Sequence, residues 1–158
     1  MAIDPYARAD LARSGELPLA TAEGLTFTAR TDDTGYRLVR NCVYLITGAA
    51  PAARFWTLTA SGADGRVIDD PAHRSAFTST DVVRDLDGRF TIAVASTARP
   101  GNWLPVTGVG PLTLSLRLYD TPLAGNSGEA AQASLPSITR RSCSVSGGGA
   151  AVGAETVK

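Results

Sequence analysis

Histidine occurs once in the 158 residues, as His73, and cysteine twice, as Cys42 and Cys143. So few imidazoles and thiols exclude a His/Cys metal cluster. The wide spacing of the two cysteines also excludes the CxxC pattern of zinc ribbons and thioredoxin-like motifs. Neither charge sign is in excess: 15 basic against 15 acidic residues leave a formal net charge of +0. That balance argues against a nucleic-acid binder, which tracks phosphates with a basic surplus. No apolar run approaches the roughly 18 residues of a membrane-spanning helix. What the chain does have is 44% hydrophobic residues, with only 19% charged. Such a composition suits a folded globular chain rather than a disordered one. At 16.4 kDa it has the size of one domain, and no internal repeat divides it.

Residues 1–24 read as a lead-in that contains a short helix. Asp4 is placed to cap it, Pro5 to occupy its first position, and Gly15 to stop it. No secretory h-region is visible there. From residue 25 the pattern changes to period two, the signature of half-buried strands. Leu25, Phe27 and Ala29 alternate with Thr26, Thr28 and Arg30, and Leu112, Leu114, Leu116 and Leu118 alternate with polar residues. Phe90, Ile92 and Val94 share one face of a run over 89–95. Further strands are expected over 36–47, 54–60, 66–68 and 80–84, with turns at Asp64-Gly65 and Asp87-Gly88. Residues 42–46 are apolar on both faces, which places them in a central strand. At least seven strands and no 3.6-residue period after residue 24 predict an all-β fold. The expected form is an antiparallel β-sandwich or jelly roll with a short N-terminal helix. Residues 25–143 would form the sandwich, and 144–158, rich in Gly, Ala and Ser, a flexible tail.

Catalytic candidates are scarce. His73 follows Asp69, Asp70 and Pro71 in a loop and is the one side chain with an ordinary pKa near neutrality. With Asp69 or Asp70 it would form an acid/base pair for a hydrolase or lyase. Ser75 or Ser79 would complete a triad, but no Gly-x-Ser-x-Gly elbow exists. The aspartates, Asp81 and Asp85 among them, are placed equally well to cap turns. Recognition has more to draw on. Arg54 precedes Phe55-Trp56, Arg117 sits inside an apolar strand, and Asn102-Trp103 opens a fixed turn before Leu104-Pro105. Arg54, Trp56, Asn102, Trp103 and Arg117 therefore form the expected binding set. Each has a structural alternative: an ion pair for the arginines, a plug at the sandwich end for Trp103. A structural subunit, the third class considered, would instead show an exposed apolar patch.

Cys42 lies in an apolar strand, whereas Cys143 follows Pro136 in a polar stretch where a buried free thiol has little reason to be. A Cys42–Cys143 disulfide is therefore expected. It would close a loop of about 100 residues, contribute about 4.7 kcal/mol by loop-closure entropy, and place the chain in an oxidising compartment.

Several of these segments together resemble a known family. Asn102-Trp103-Leu104-Pro105, Gly110-Pro111-Leu112 and Leu116-Arg117-Leu118-Tyr119-Asp120-Thr121-Pro122 look like the C-terminal signature of the domain-of-unknown-function 1214 (DUF1214) family. Ala53-Arg54-Phe55-Trp56-Thr57-Leu58 followed by Asp64-Gly65 is similar to its strand and hairpin. Asp4-Pro5-Tyr6 with Arg8-Ala9, and Leu135-Pro136 with Ile138, resemble the ends of its short bacterial members. The resemblance spans most of 4–143 and implies a jelly-roll sandwich in its short, stand-alone form. It also implies a hydrophobic segment ahead of Asp4, so the expectation is a start displaced from the natural one. The protein would then be periplasmic, or tethered to the inner membrane through that segment. It transfers no catalytic residue, metal or cofactor. The combined expectation is a non-enzymatic binding or assembly domain of the cell envelope, its partner a small molecule or an envelope protein.

Overall fold

The structure, a computed structural model, describes residues 24–68, 74–125 and 135–144. The expected N-terminal helix, the His73 loop and most of the glycine-rich tail lie outside them. Eight strands fall into two four-stranded sheets. The first sheet holds β1 (Gly24–Ala29), β7 (Thr113–Tyr119), β3 (Phe55–Ser61) and β4 (Ala76–Thr78), in that spatial order and antiparallel throughout. The second holds β6 (Asn102–Pro105), β5 (Arg89–Ala95), β2 (Cys42–Ala49) and β8 (Ser137–Cys143). A 3-10 turn, Pro122–Gly125, follows β7.

Alternation builds the core. Leu114, Leu116 and Leu118 of β7 and Trp56, Leu58 and Ala60 of β3 point inward from the first sheet. Cys42, Tyr44 and Ile46 of β2 and Phe90, Ile92 and Val94 of β5 meet them from the second. Trp56 and Phe90 stack across the gap with ring centroids 5.3 Å apart, so the inner faces are in direct contact. Each fully buried leucine, isoleucine or phenylalanine contributes roughly 1.5–3 kcal/mol relative to an exposed one. The only polar atom that Tyr44 brings into this core, its hydroxyl, accepts the Val39 N–H at 2.9 Å.

The sandwich departs from the expected strands, and two of its strands, β4 and β8, fall where none was expected. The run over 36–47 is split, because Asp32 and Asn41 fold the chain into turns and only 42–49 forms a strand. Within that strand one face is buried; Val43 and Leu45 on the other are half-buried. Residues 66–68 make a single bridge, Ser61 to Val67. Residues 80–84 are not a strand: Asp81 accepts the Thr78 hydroxyl at 2.6 Å, and the backbone turns there. The stretch read as a fixed turn, 102–105, is a strand, and it pairs with β5 in parallel rather than antiparallel. The short connection 96–101 loops back to permit this, with Gly101 at φ 78° where L-residues are rarely found.

Cys143 lies on β8, directly opposite Cys42 of β2, and the two are joined by a disulfide. Other groups pin the same strand. The Asp33 carboxylate accepts the Ile138 N–H at 2.9 and 3.0 Å. Asn41 and Ser144 exchange bonds at 2.8–3.0 Å. The disulfide is thus one of several ties on an otherwise polar edge strand.

Candidate functional site

Between β1 and β2 the chain makes a hairpin that is anchored on a buried carboxylate. Asp32 accepts the Thr34 hydroxyl at 2.6 Å and the N–H groups of Thr34 and Tyr36 at 3.0 Å each. Gly35 supplies the left-handed residue of the turn, at φ 86°. The Thr34 hydroxyl is the chief cause that holds the Asp32 carboxyl below its ordinary value. The Tyr36 and Thr34 N–H groups and the Arg140 charge add to it, and burial opposes it. Arg140 of β8 places Nε 3.2 Å from the second carboxylate oxygen, off the hydrogen-bond axis, and its guanidinium lies over the Tyr36 ring at 4.5 Å. The hairpin is therefore fixed to both sheets.

That rigid hairpin presents Arg30 and Arg37 to an open cleft of about 360 Å³. Thr28, Ser61, Thr113 and Ser115, turned outward from the first sheet, form the floor. The turn at Gly62–Gly65 and the Pro111–Leu112 segment form the walls. Arg40 stands behind the wall and builds it: its guanidinium donates to the carbonyls of Pro111 at 3.2 Å and Thr107 at 3.4 Å. A side chain at Gly62 would meet that guanidinium and the Asp64 carboxylate, which would have to swing aside. Neither the Arg30 nor the Arg37 side chain has a hydrogen-bond or ion-pair partner among the described residues. Among the described residues no carboxylate, imidazole or thiol lines the cleft. Two unpaired guanidinium groups over a hydroxyl floor suit the binding of an anion, because Arg donates in a fork that matches carboxylate and phosphate oxygens. They do not supply an acid/base pair.

The expected binding residues are spread over the molecule rather than gathered in one place. Trp56 is 1% exposed and sits in the core. Asn102 accepts the Val83 N–H at 2.8 Å and donates to the carbonyls of Val83 at 2.7 Å and Thr91 at 3.0 Å, so its amide is spent on backbone. Trp103 donates Nε1–H to the Ala95 carbonyl at 3.0 Å. Arg54 forms an exposed pair with Asp120 at 3.4 Å. Arg117 lies on the outward face of β7, between Thr26 and Thr57. His73, Asp69 and Asp70 fall outside the described residues. Ser75 and Asp81 line a separate cleft of about 690 Å³ with Arg74, Val83 and Asn102. Ser79 accepts the Trp56 N–H at 3.4 Å, and the Asp85 N–H donates to the Arg89 carbonyl at 2.7 Å. Among the described residues no three His, Cys, Asp or Glu side chains are grouped to hold a metal ion, and no helix is long and apolar enough to cross a membrane.

Arg30 and Arg37 were not singled out from the sequence. Fourteen arginines dilute any one of them, but one signal was there to be read. The two flank an Asp-Asp-x-Gly turn, which makes them neighbours on one hairpin.

The two stacked sheets define a β-sandwich domain with an arginine-lined cleft beside the β1–β2 hairpin. The chain belongs to the family described as "Protein of unknown function (DUF1214)", whose model matches residues 23–123. No curated protein matches the chain significantly. Among solved structures, the VPA0106 protein of Vibrio parahaemolyticus is similar at 25% identity and a TM-score of 0.70 over 85% of this chain. The match covers 34% of that protein, so the chain spans about a third of its length. An uncharacterized protein from Burkholderia cenocepacia aligns at 17% identity and a TM-score of 0.48, over 89% of this chain and 44% of that one.

Proposed function

We propose that this chain is a non-enzymatic binding module of the bacterial cell envelope, taking a small acidic ligand in the Arg30/Arg37 cleft. The observation that carries this reading is the pair of arginines, Arg30 and Arg37, that line one cleft and have no side-chain partner among the described residues. Both arginines are exposed and line one cleft with hydroxyl residues, so an anion entering it finds guanidinium donors free to turn to it. The disulfide supports an oxidising compartment, periplasmic or at the outer side of the inner membrane. The Vibrio parahaemolyticus protein of similar fold is bacterial. The two stacked four-stranded sheets are read as a sandwich of jelly-roll type.

Thermal shift against galacturonate, citrate and inorganic phosphate tests the reading. A ligand at about 100 times its Kd adds about 2.7 kcal/mol, a rise of roughly 5–10 °C for a domain of this size. Arg37→Ala and Arg30→Ala should each abolish most of that rise while leaving the ligand-free melting temperature within about 2 °C. A rise that survives both substitutions would place the ligand elsewhere, and the cleft reading would be wrong.

A further inference from the structure

The floor of the cleft does not end at its mouth. Along β7 the positions on that face are Thr113, the buried Ser115, Arg117 and Tyr119, and the register puts hydroxyl residues beside Ser115 and Arg117 on both neighbours. Ser115 lies between Thr28 and Thr59, and Arg117 between Thr26 and Thr57. Thr78 of β4 extends the second row. At the far end Tyr119 meets Phe55, ring centroids 5.8 Å apart and tilted at 44°. From Thr113 to Tyr119 the strand spans about 20 Å at roughly 3.4 Å per residue. No carboxylate is among the outward residues of the four strands. Described carboxylates stand at the margins of this face: Asp81 accepts the Thr78 hydroxyl at 2.6 Å on the β4 side, and Asp120 pairs with Arg54 beyond Tyr119.

This arrangement combines three elements of saccharide recognition: hydroxyl partners in rows, an aromatic surface for a sugar face, and cations at one end for acidic groups. A single small anion would use the cleft alone and leave the rows and the aromatic pair without a role. We infer that the ligand is an extended acidic polysaccharide, a polyuronate-type chain, with one carboxylate seated between Arg30 and Arg37 and its following sugars laid along β7 towards Phe55 and Tyr119. The inference rests on the cleft reading above and names its ligand class. Register and charge carry it: β1, β7 and β3 carry hydroxyl residues on this face with no carboxylate among their outward positions, so a polyanion laid along β7 meets no acidic side chain of these three strands.

Calorimetric titration with galacturonic acid and with its hexamer, alongside a neutral hexasaccharide, tests it. The hexamer should bind at least tenfold more tightly than the monomer, and the neutral hexasaccharide should bind far more weakly. Arg37→Ala should weaken monomer and hexamer alike. Thr26→Glu, at an exposed position on the outermost strand, and Phe55→Ala should each weaken the hexamer about fivefold or more and leave the monomer within twofold. The unchanged monomer affinity shows that these variants remain folded. Equal affinity for monomer and hexamer would overturn the extended-ligand inference while the cleft reading stands. Failure of both sugars to bind, with phosphate still binding in an Arg37-dependent way, would also leave only the cleft reading. No Arg37-dependent binding of any of these probes would overturn both.

Discussion

The amide of Asn102 uses its oxygen and both kinds of its bonding capacity on the backbone of Val83 and Thr91, at 2.7–3.0 Å and only 8% exposed. It ties the coil before β5 to the parallel strand β6, where regular ladder bonds are few. Asn102→Ala would strand two carbonyls and one N–H, so a loss of about 2–4 kcal/mol in denaturant unfolding is expected. Trp56 presents the opposite case. Its ring stacks on Phe90, but its buried Nε1–H has no partner. Trp56→Phe keeps the stack and removes the unpaired donor, so it should cost under about 1.5 kcal/mol, whereas Trp56→Ala should cost about 3–5. Asp32 sets the acid limit of the hairpin. Its folded pKa is lowered, so the native state binds fewer protons than the unfolded chain through that window. Its contribution is complete above the unfolded carboxylate value near 4 and disappears as pH falls through the lower folded value. In Asp32→Asn the decline of stability below about pH 4 should be shallower; an acid titration of the melting temperature identical to wild type would contradict this.

At the scale of elements, the attachment of β8 depends on close approach as well as on bonds. A side chain on Gly48 of β2 would meet the Pro136 Cα at 2.9 Å, a backbone atom with no freedom to swing away. Gly48→Ala should therefore lift the start of β8 and cost about 1–3 kcal/mol. Faster hydrogen exchange at Ile138 than in wild type would locate the damage. The legibility of each element in the sequence follows from how it is held. The leucines of 112–118 and the apolar face of 90–94 were readable because core strands must alternate, and all of these side chains are buried. β8 was not readable: Ser-Ile-Thr-Arg-Arg-Ser-Cys carries few apolar residues, and its order comes from backbone pairing, a disulfide and the Asp33 carboxylate. The parallel β5–β6 pair escaped because a turn-rich connection of this length ordinarily means an antiparallel hairpin. For the site, sequence reasoning favoured arginines beside aromatics, Arg54 and Arg117. The cleft instead uses arginines that two turn residues, Asp32 and Gly35, bring to one hairpin.

At the scale of the whole molecule, the balanced net charge is repeated locally: the hairpin that carries Arg30 and Arg37 is itself capped by Asp32. The Cys42–Cys143 bridge spans 101 residues and takes in six strands, β2 to β7, before it closes on the eighth. A cross-link of that reach limits the unfolded chain far more than the folded one, and loop-closure entropy puts its effect at about 4.7 kcal/mol. Reduction should therefore lower the melting temperature by roughly 10–15 °C, with β8 the first element to gain hydrogen exchange. The compartment proposal enters at the same point. If the protein works in an oxidising space, material made in a reducing cytosol should carry two free thiols and show the lower melting temperature. Oxidation of that material should restore the higher one together with binding at the Arg37 cleft, since the Asp32–Arg140 contact ties the cleft hairpin to the bridged strand. A reduced protein that melts with the oxidised one would show that the pinning of β8 by Asp33, Asn41 and the β2 ladder suffices, and the disulfide would then give no support to an envelope location.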